Sequence, residues 1–228
     1  MRKIVILAAI PMLMLAFEPP GAIGQTVLQC TRPDTPDSLE SFLIEPNTPG
    51  EAAHLRQAPH GASRLRKHIL QVHWQSGAHQ FKDVAPYMQG DMDGLYWTYC
   101  GYDSEAGVHV IQKNGPDWLT GVLVDEKTGS ILPGGFSVVF SPNSRHYITY
   151  EQEEGAELHN VKLYTRAGKL LWSGHNGLLS ADGQTVTAEF LRIYWDASGK
   201  LLAEFKEDSG RKRTLTLTMN AKREWSWR

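Results

Sequence analysis

Residues 161–202 contain the same apolar and polar pattern twice. The first copy reads VKLYTRAGKLLW at residues 161–172, and the second reads LRIYWDASGKLL at residues 191–202. Each copy alternates apolar and polar positions, reaches a turn that ends at Gly168 or Gly199, and resumes with Lys-Leu-Leu. Alternation with a period of two, interrupted by a short glycine turn, is typical of a β-hairpin. The pattern therefore predicts a hairpin that is repeated.

Further copies extend this repeat along the chain. GVLVDEKTGSIL at residues 121–132 is a third, looser hairpin, and FSPNSRHYITY at residues 140–150 matches LSADGQTVTA at residues 179–188. The spacing from Ser141 to Ser180 is 39 residues, close to one four-stranded propeller blade. The sequence predicts an all-β chain of repeated four-stranded meanders in a small or incomplete β-propeller-like arrangement, with a β-sandwich as the alternative.

Residues 1–24 have the pattern of a signal peptide. Arg2 and Lys3 precede a 14-residue apolar run at residues 4–17, and small residues follow up to Gly24. A run of this length is too short for a transmembrane helix but fits a signal-peptide core. We therefore expect cleavage before Gln25 and a periplasmic or secreted protein, and no later segment is apolar enough to predict a membrane span.

Residues 25–67 contain five of the chain's prolines between positions 33 and 59, which favours an irregular, largely extended arm with one short strand near residues 42–44. The β-propeller-like domain is predicted at residues 68–228. The two cysteines, Cys30 and Cys100, most simply form one disulfide in an oxidising compartment. That disulfide would attach the arm to the β-domain.

Charge and motifs restrict the possible chemistry. The formal net charge of −2 provides no electrostatic footprint for nucleic acid. The nucleophile motif Gly-x-Ser-x-Gly is absent, and His68, His73 and His79 lack metal-ligand spacing. Asp91 and Asp93 precede a glycine and fit either a fragment of a calcium loop or a tight turn. We expect no catalytic residues, no cofactor and no metal ligand.

An acidic run at residues 151–157 interrupts the repeat between two predicted strands. Such an insertion fits either a solvated loop or a protruding loop that contacts a basic partner. Two tryptophans beside turns, Trp195 and Trp118, are candidates for exposed aromatic anchors. The predicted partner-binding residues are Glu151, Glu153, Glu154, Gly155, Ala156, Glu157 and Trp195.

The middle of the chain resembles the periplasmic immunity proteins that neutralise type VI secretion amidase effectors. The resemblance covers residues 121–170 and rests on GGFSVVFSPNSRH at residues 134–146, EGAEL at residues 154–158 and the Tyr164 to Gly168 hairpin. It implies an exported, disulfide-bearing, propeller-like β-fold that inserts a loop into the effector's catalytic cleft. That loop would comprise Glu153, Glu154, Gly155 and Ala156, where the family has serines and this chain has Glu and Gly.

These observations together predict an exported, non-enzymatic, protein-binding β-protein. The expected role is a periplasmic inhibitor or immunity protein that occludes the active site of an effector or a cell-wall hydrolase with a loop. A small extracytoplasmic hydrolase or carbohydrate-binding module, built on Asp91, Asp93 and exposed tryptophans, is the alternative. A structural protein of the envelope is a third hypothesis.

Overall fold

The computed structural model describes residues 27–29, 47, 49–84, 94–115, 118–152, 160–175, 178–179, 185–186, 188–207, 210–219 and 225–228. Nearly all regular structure in this part of the chain is β-strand, and the strands form antiparallel meanders. Within the described residues, no helix has the length and apolar character needed to cross a membrane.

The first sheet is a three-stranded meander that packs beside a short helix. The helix, α1, spans Pro49–Arg56, and the strands are β2 (Ala62–Leu65), β3 (Ile69–Trp74) and β4 (Gly77–Lys82). One face of β3 and β4 buries apolar side chains by the alternation that strands impose. A backbone pair between Val84 and Leu95 leads from this sheet to the next.

The second sheet has four strands in chain order: β5 (Tyr96–Asp103), β6 (Val108–Asn114), β7 (Leu119–Asp125) and β8 (Ile131–Gly134). It lies between two other sheets, so both faces of β6 are buried. A strand buried on both faces can carry a continuous run of buried residues, which explains why β6 shows little polar alternation.

The third sheet begins with the N-terminal strand β1 (Val27–Gln29), which pairs with β9 (Ser137–Phe140). The sheet continues through β10 (His146–Glu151), β11 (Asn160–Thr165) and β12 (Leu170–His175). The chain therefore returns more than 100 residues after β1 to complete this sheet. The pairing ties the first described strand to the middle of the domain.

The fourth sheet is another meander of four strands. They are β15 (Ala188–Trp195), β16 (Leu201–Glu207), β17 (Lys212–Met219) and β18 (Trp225–Trp227). A two-stranded ribbon precedes it, made of β13 (Leu178–Leu179) and β14 (Thr185–Val186).

The four sheets pack face to face in series, and each junction has its own apolar cluster. The first junction includes Leu70, Phe81, Tyr99, Ile111 and Val124. The second includes Val108, Val110, Leu123, Val138 and Tyr147. The third includes Val139, Ile148, Leu163, Ile193 and Phe205. Among the described strands, no hydrogen-bonded pair joins the first sheet to the fourth.

The predicted all-β fold of repeated meanders is confirmed. Three matched turns carry the repeat: Gly129, Gly168 and Gly199 have φ values of 68°, 79° and 80°. This left-handed region favours glycine because it has no Cβ. In two of these turns, an aspartate at the start, Asp125 or Asp196, accepts hydrogen bonds from amides further along. The repeated hairpin pattern therefore corresponds to a repeated turn geometry.

Residues 25–67, predicted as an irregular arm, include regular structure. Both α1 and β2 lie within residues 25–67, and the first sheet begins at Ala62 rather than after residue 67. Pro49 occupies the first helical position, where its missing N–H has little cost. The Glu51 carboxylate accepts a hydrogen bond from the Asn47 amide at 2.7 Å. The sequence Thr-Pro-Gly-Glu at residues 48–51 carried this helix-start signal. The strand predicted near residues 42–44 and the signal peptide at residues 1–24 lie outside the described residues.

Candidate interaction surface

Two hairpin ends meet at one edge of the domain. One is the end of the β6–β7 hairpin, and the other is the end of the β10–β11 hairpin. The amide of Leu119 donates to the carbonyl of Gln152 at 2.8 Å, and the amide of Gln152 donates back to Leu119 at 2.8 Å. Gln152 directly precedes Glu153 in the sequence, and this backbone pair holds Gln152 beside Leu119, the residue after Trp118.

Two indole rings and one ammonium group lie next to this pair. Trp97 of β5 and Lys113 of β6 are direct cross-strand partners. The Lys113 Nζ lies 4.8 Å from the ring centroid of Trp118 and 5.6 Å from that of Trp97. Both distances are within the range of a cation–π interaction. All three side chains are partly exposed. We call this group the tryptophan–lysine cluster.

The orientation of Trp118 depends on a glycine. A Cβ at position 115 would collide with the Trp118 indole, so the ring covers the backbone at Gly115. The amide of Gly115 also donates to the Trp118 carbonyl at 3.0 Å. The turn thus holds the ring in place through both backbone and side-chain contacts. A rigid aromatic side chain loses little conformational entropy when a partner covers it.

The backbone of Trp97 forms hydrogen bonds with buried charged side chains. Its amide donates to Asp83 Oδ1 at 2.9 Å, and its carbonyl accepts a hydrogen bond from Arg64. Arg64 also donates to both oxygens of Glu51, at 2.7 and 3.0 Å, and to Asp83 Oδ2 at 3.2 Å. Glu51 is fully buried. The pKa of Asp83 is raised by burial, which outweighs the hydrogen bonds from Trp97 and Arg64.

Glu151 does not have its predicted place on the contact surface. Its side chain is buried at the end of β10, where it accepts from Lys162 Nζ at 2.7 Å and from Thr149 Oγ1 at 3.1 Å. The reason is alternation: Glu151 shares a face of β10 with Thr149 and Tyr147, which point toward the second sheet. Its charge is therefore paired with Lys162 inside the domain.

The prediction that Trp195 is an exposed anchor is wrong. Trp195 is 7% exposed and belongs to the apolar cluster between the third and fourth sheets. Its indole Nε1 donates to the carbonyl of Val139 at 3.2 Å. Trp195 has the same strand face as Ile193, so alternation in β15 already indicated burial. Trp118, the other tryptophan beside a turn, is the partly exposed one.

The remaining predicted partner-binding residues, Glu153, Glu154, Gly155, Ala156 and Glu157, lie outside the described residues. They stay predictions.

Cys30, Asp91 and Asp93 also lie outside the described residues. Cys100 is buried in β5. The strand that ends one residue before Cys30, β1, lies against β5. The Cys30–Cys100 disulfide stays a prediction that this neighbourhood supports.

A buried polar chain that the sequence did not suggest crosses the first junction. The Tyr99 hydroxyl lies 2.9 Å from His109 Nδ1, and His109 Nε2 contacts Glu126 Oε2. Glu126 Oε1 lies 2.8 Å from Nε2 of His60, which is half exposed. The His60–Glu126 distance is that of an ion pair, but the angles at the two atoms are not those of a hydrogen bond. In the sequence, His109 stands between Val108 and Val110 in a buried strand, so the local pattern gives no sign of its polar contacts.

Burial favours the neutral forms of His109 and Tyr99. It lowers the pKa of His109, and the hydrogen bond and charge of Glu126 only partly oppose it. Neutral His109 therefore donates a hydrogen bond from Nε2 to Glu126 and accepts one at Nδ1 from the Tyr99 hydroxyl. The pKa of Tyr99 is raised by burial and then by the charge of Glu126. Tyr99 and His109 are both fully buried, so neither side chain meets a dissolved substrate as it is placed.

Among the described residues, no three potential His, Cys, Asp or Glu ligands lie together in a metal-binding arrangement. Comparison of the chain with protein-family models, with curated proteins and with solved structures gave no match.

Proposed function

We propose that this chain is an exported, non-enzymatic inhibitor or immunity protein that binds an effector or a cell-wall hydrolase in the periplasm. The acidic segment at residues 153–157 enters or covers the partner's active site. The four-sheet domain is the scaffold that presents it. Signal-peptide composition at residues 1–24 supports the compartment, and the resemblance of residues 121–170 supports the class of partner.

The observation that carries this proposal is the backbone pair between Leu119 and Gln152. It holds Gln152, the residue that precedes Glu153 in the sequence, beside Leu119, the neighbour of Trp118 in the tryptophan–lysine cluster. Charged groups at the rim of an interface accelerate encounter, whereas buried aromatic groups slow dissociation. Glu153, Glu154 and Glu157 thus steer a basic partner surface, and Trp118 with Trp97 anchors it.

The residues of this proposed surface differ from those predicted from the sequence. Glu151 and Trp195 are both committed to buried contacts, so neither belongs to the proposed surface. The proposed anchor is Trp118, whose ring is partly exposed and fixed over Gly115. Without Glu151, the proposed acidic segment contains three glutamates: Glu153, Glu154 and Glu157.

The experiment starts with capture of partners by the mature chain from a periplasmic extract and identification of the captured protein. The purified partner is then measured by biolayer interferometry against four variants. Glu153→Lys/Glu154→Lys/Glu157→Lys is compared with Glu105→Lys, an exposed glutamate in the β5–β6 turn at the opposite end of β6. Trp118→Ala is compared with Leu170→Ala, an apolar side chain that is 49% exposed.

We expect the triple glutamate-to-lysine variant to associate more slowly and its association rate to depend less on salt concentration. We expect Trp118→Ala to raise the dissociation rate by roughly 30-fold, because a hot-spot aromatic contributes about 2 kcal/mol. Both controls should bind like the wild type. If the triple glutamate-to-lysine variant and Trp118→Ala both keep wild-type kinetics, the surface is misassigned. If the chain captures no protein and itself hydrolyses a glycan or peptide, the binding function is wrong.

A further inference from the structure

Three polar side chains lie together in the second junction of the domain. Gln112 and Asn114 are two positions apart on β6, and Thr98 is the direct cross-strand partner of Gln112 on β5. They share a sheet face with Val108 and Val110, which pack against the third sheet. Thr98 and Gln112 are fully buried, and Asn114 is 1% exposed.

Each of these side chains has one atom without a partner among the described residues. Gln112 Nε2 donates to Asn114 Oδ1 at 2.7 Å, which leaves Gln112 Oε1, Asn114 Nδ2 and Thr98 Oγ1 unpaired. Flipping both amides reverses this bond and again leaves one donor and one acceptor. Buried polar atoms in folded proteins nearly always have a partner, either from the protein or from ordered water.

The charges that face this cluster compensate each other. Thr149 and Glu151 share a face of β10 with Tyr147, and Lys162 shares a face of β11 with Tyr164; both tyrosines belong to the second junction. Lys162 Nζ and Glu151 Oε2 are 2.7 Å apart, and Thr149 Oγ1 donates to Glu151 Oε1. Among the described residues, the Glu151 and Lys162 charges on these faces are paired with each other, which favours a neutral bound molecule over an ion.

We propose that Thr98, Gln112 and Asn114 form a binding site for one buried water molecule. The water accepts a hydrogen bond from Asn114 Nδ2, donates one to Gln112 Oε1 and completes its set with the Thr98 hydroxyl. Buried waters typically make about three such bonds to otherwise unpaired polar groups. Each of the three unpaired atoms is then satisfied by the same molecule.

This water stabilises the junction that supports the β6–β7 turn. Asn114 is the cross-strand partner of Leu119, and Leu119 forms the backbone pair with Gln152. The site is defined by the second sheet alone and does not depend on whether the nearby surface binds a protein.

The test is water–protein NMR on the intact mature chain. The side-chain amide protons of Gln112 and Asn114 should show cross-peaks to a long-lived water, with the sign of a bound molecule. Thr98→Val should weaken these cross-peaks, and Thr98→Val/Gln112→Leu/Asn114→Leu should abolish them and reduce the water relaxation dispersion by one molecule. Thr214→Val, an exposed threonine on β17, is the control and should change neither signal.

If the triple variant does not fold, Thr98→Val decides alone. Unchanged cross-peaks in that variant would overturn the role of the hydroxyl. Wild-type amide protons that show contacts to protein protons, and none to water, would overturn the site altogether.

Discussion

Arg64 holds three parts of the domain together, so its replacement should destabilise the fold strongly. Its guanidinium donates to four acceptors: two oxygens of Glu51, one of Asp83, and the carbonyl of Trp97. The side chains of Arg64, Glu51 and Asp83 are 9%, 0% and 6% exposed. Arg64→Met removes the guanidinium from two buried carboxylates, Glu51 and Asp83.

Removing one member of a buried ion pair typically costs about 3–5 kcal/mol in the free energy of unfolding. With a urea m-value of about 2 kcal/mol/M, the unfolding midpoint should fall by roughly 2 M. Arg213→Met is the matched control, because Arg213 is half exposed in its pair with Glu207 at 3.2 Å. An exposed pair contributes about 0–1 kcal/mol, so that midpoint should move by no more than roughly 0.5 M.

The pH dependence of this loss provides an independent check. Burial already raises the pKa of Asp83, and Arg64→Met removes the guanidinium that opposes this rise, so protonation of Asp83 should shrink the gap to the wild type between pH 7.5 and pH 5. Midpoints are measured by urea titration with tryptophan fluorescence at both values. If Arg64→Met shifts the midpoint no more than Arg213→Met does, the buried charges do not hold α1 and Trp97 as inferred.

Burial lowers the pKa of His109 below its ordinary value of about 6.5, so the unfolded chain binds more protons in the window just below that value. Wild-type stability should therefore decline more steeply than that of His109→Asn as the pH falls from about 7.5 to 5.5, and equal slopes in urea titrations would contradict this. Gly121→Ala should lower the unfolding midpoint, because its Cβ would lie 2.6 Å from the carbonyl oxygen of Gly135; an unchanged midpoint by thermal denaturation would argue against that close approach. The mature chain should be lighter by two hydrogens without reductant than with it, as intact mass spectrometry would show, if Cys30 and Cys100 are linked. Two reactive thiols under denaturing conditions would rule the disulfide out.

The alternation of apolar and polar residues predicted the strands well, because a strand must bury one face. The glycine turns at Gly129, Gly168 and Gly199 were predictable for a related reason, since a left-handed residue at a tight turn leaves few choices. The same alternation puts Trp195 on the buried strand face of Ile193, although it lies next to a turn.

The contacts between sheets were not predictable from this pattern. His109 and Gln112 look like ordinary strand residues, and only the packing of the second sheet between its neighbours buries them. The eight-residue helix α1 is too short to show a helical period, although Pro49 and Glu51 marked its start. Contacts between residues far apart in the sequence, such as Arg64 with Asp83, depend on how the meanders pack. Local sequence patterns do not specify that packing.

The most direct test of the proposed occlusion is the activity of the captured partner on its own cell-wall substrate. Increasing amounts of the mature chain are added, and product formation is followed by chromatography. The account predicts that activity falls to background at an equimolar ratio with the wild type and with Glu105→Lys, but persists with Glu153→Lys/Glu154→Lys/Glu157→Lys. A partner that stays fully active while saturated with the wild-type chain would contradict it.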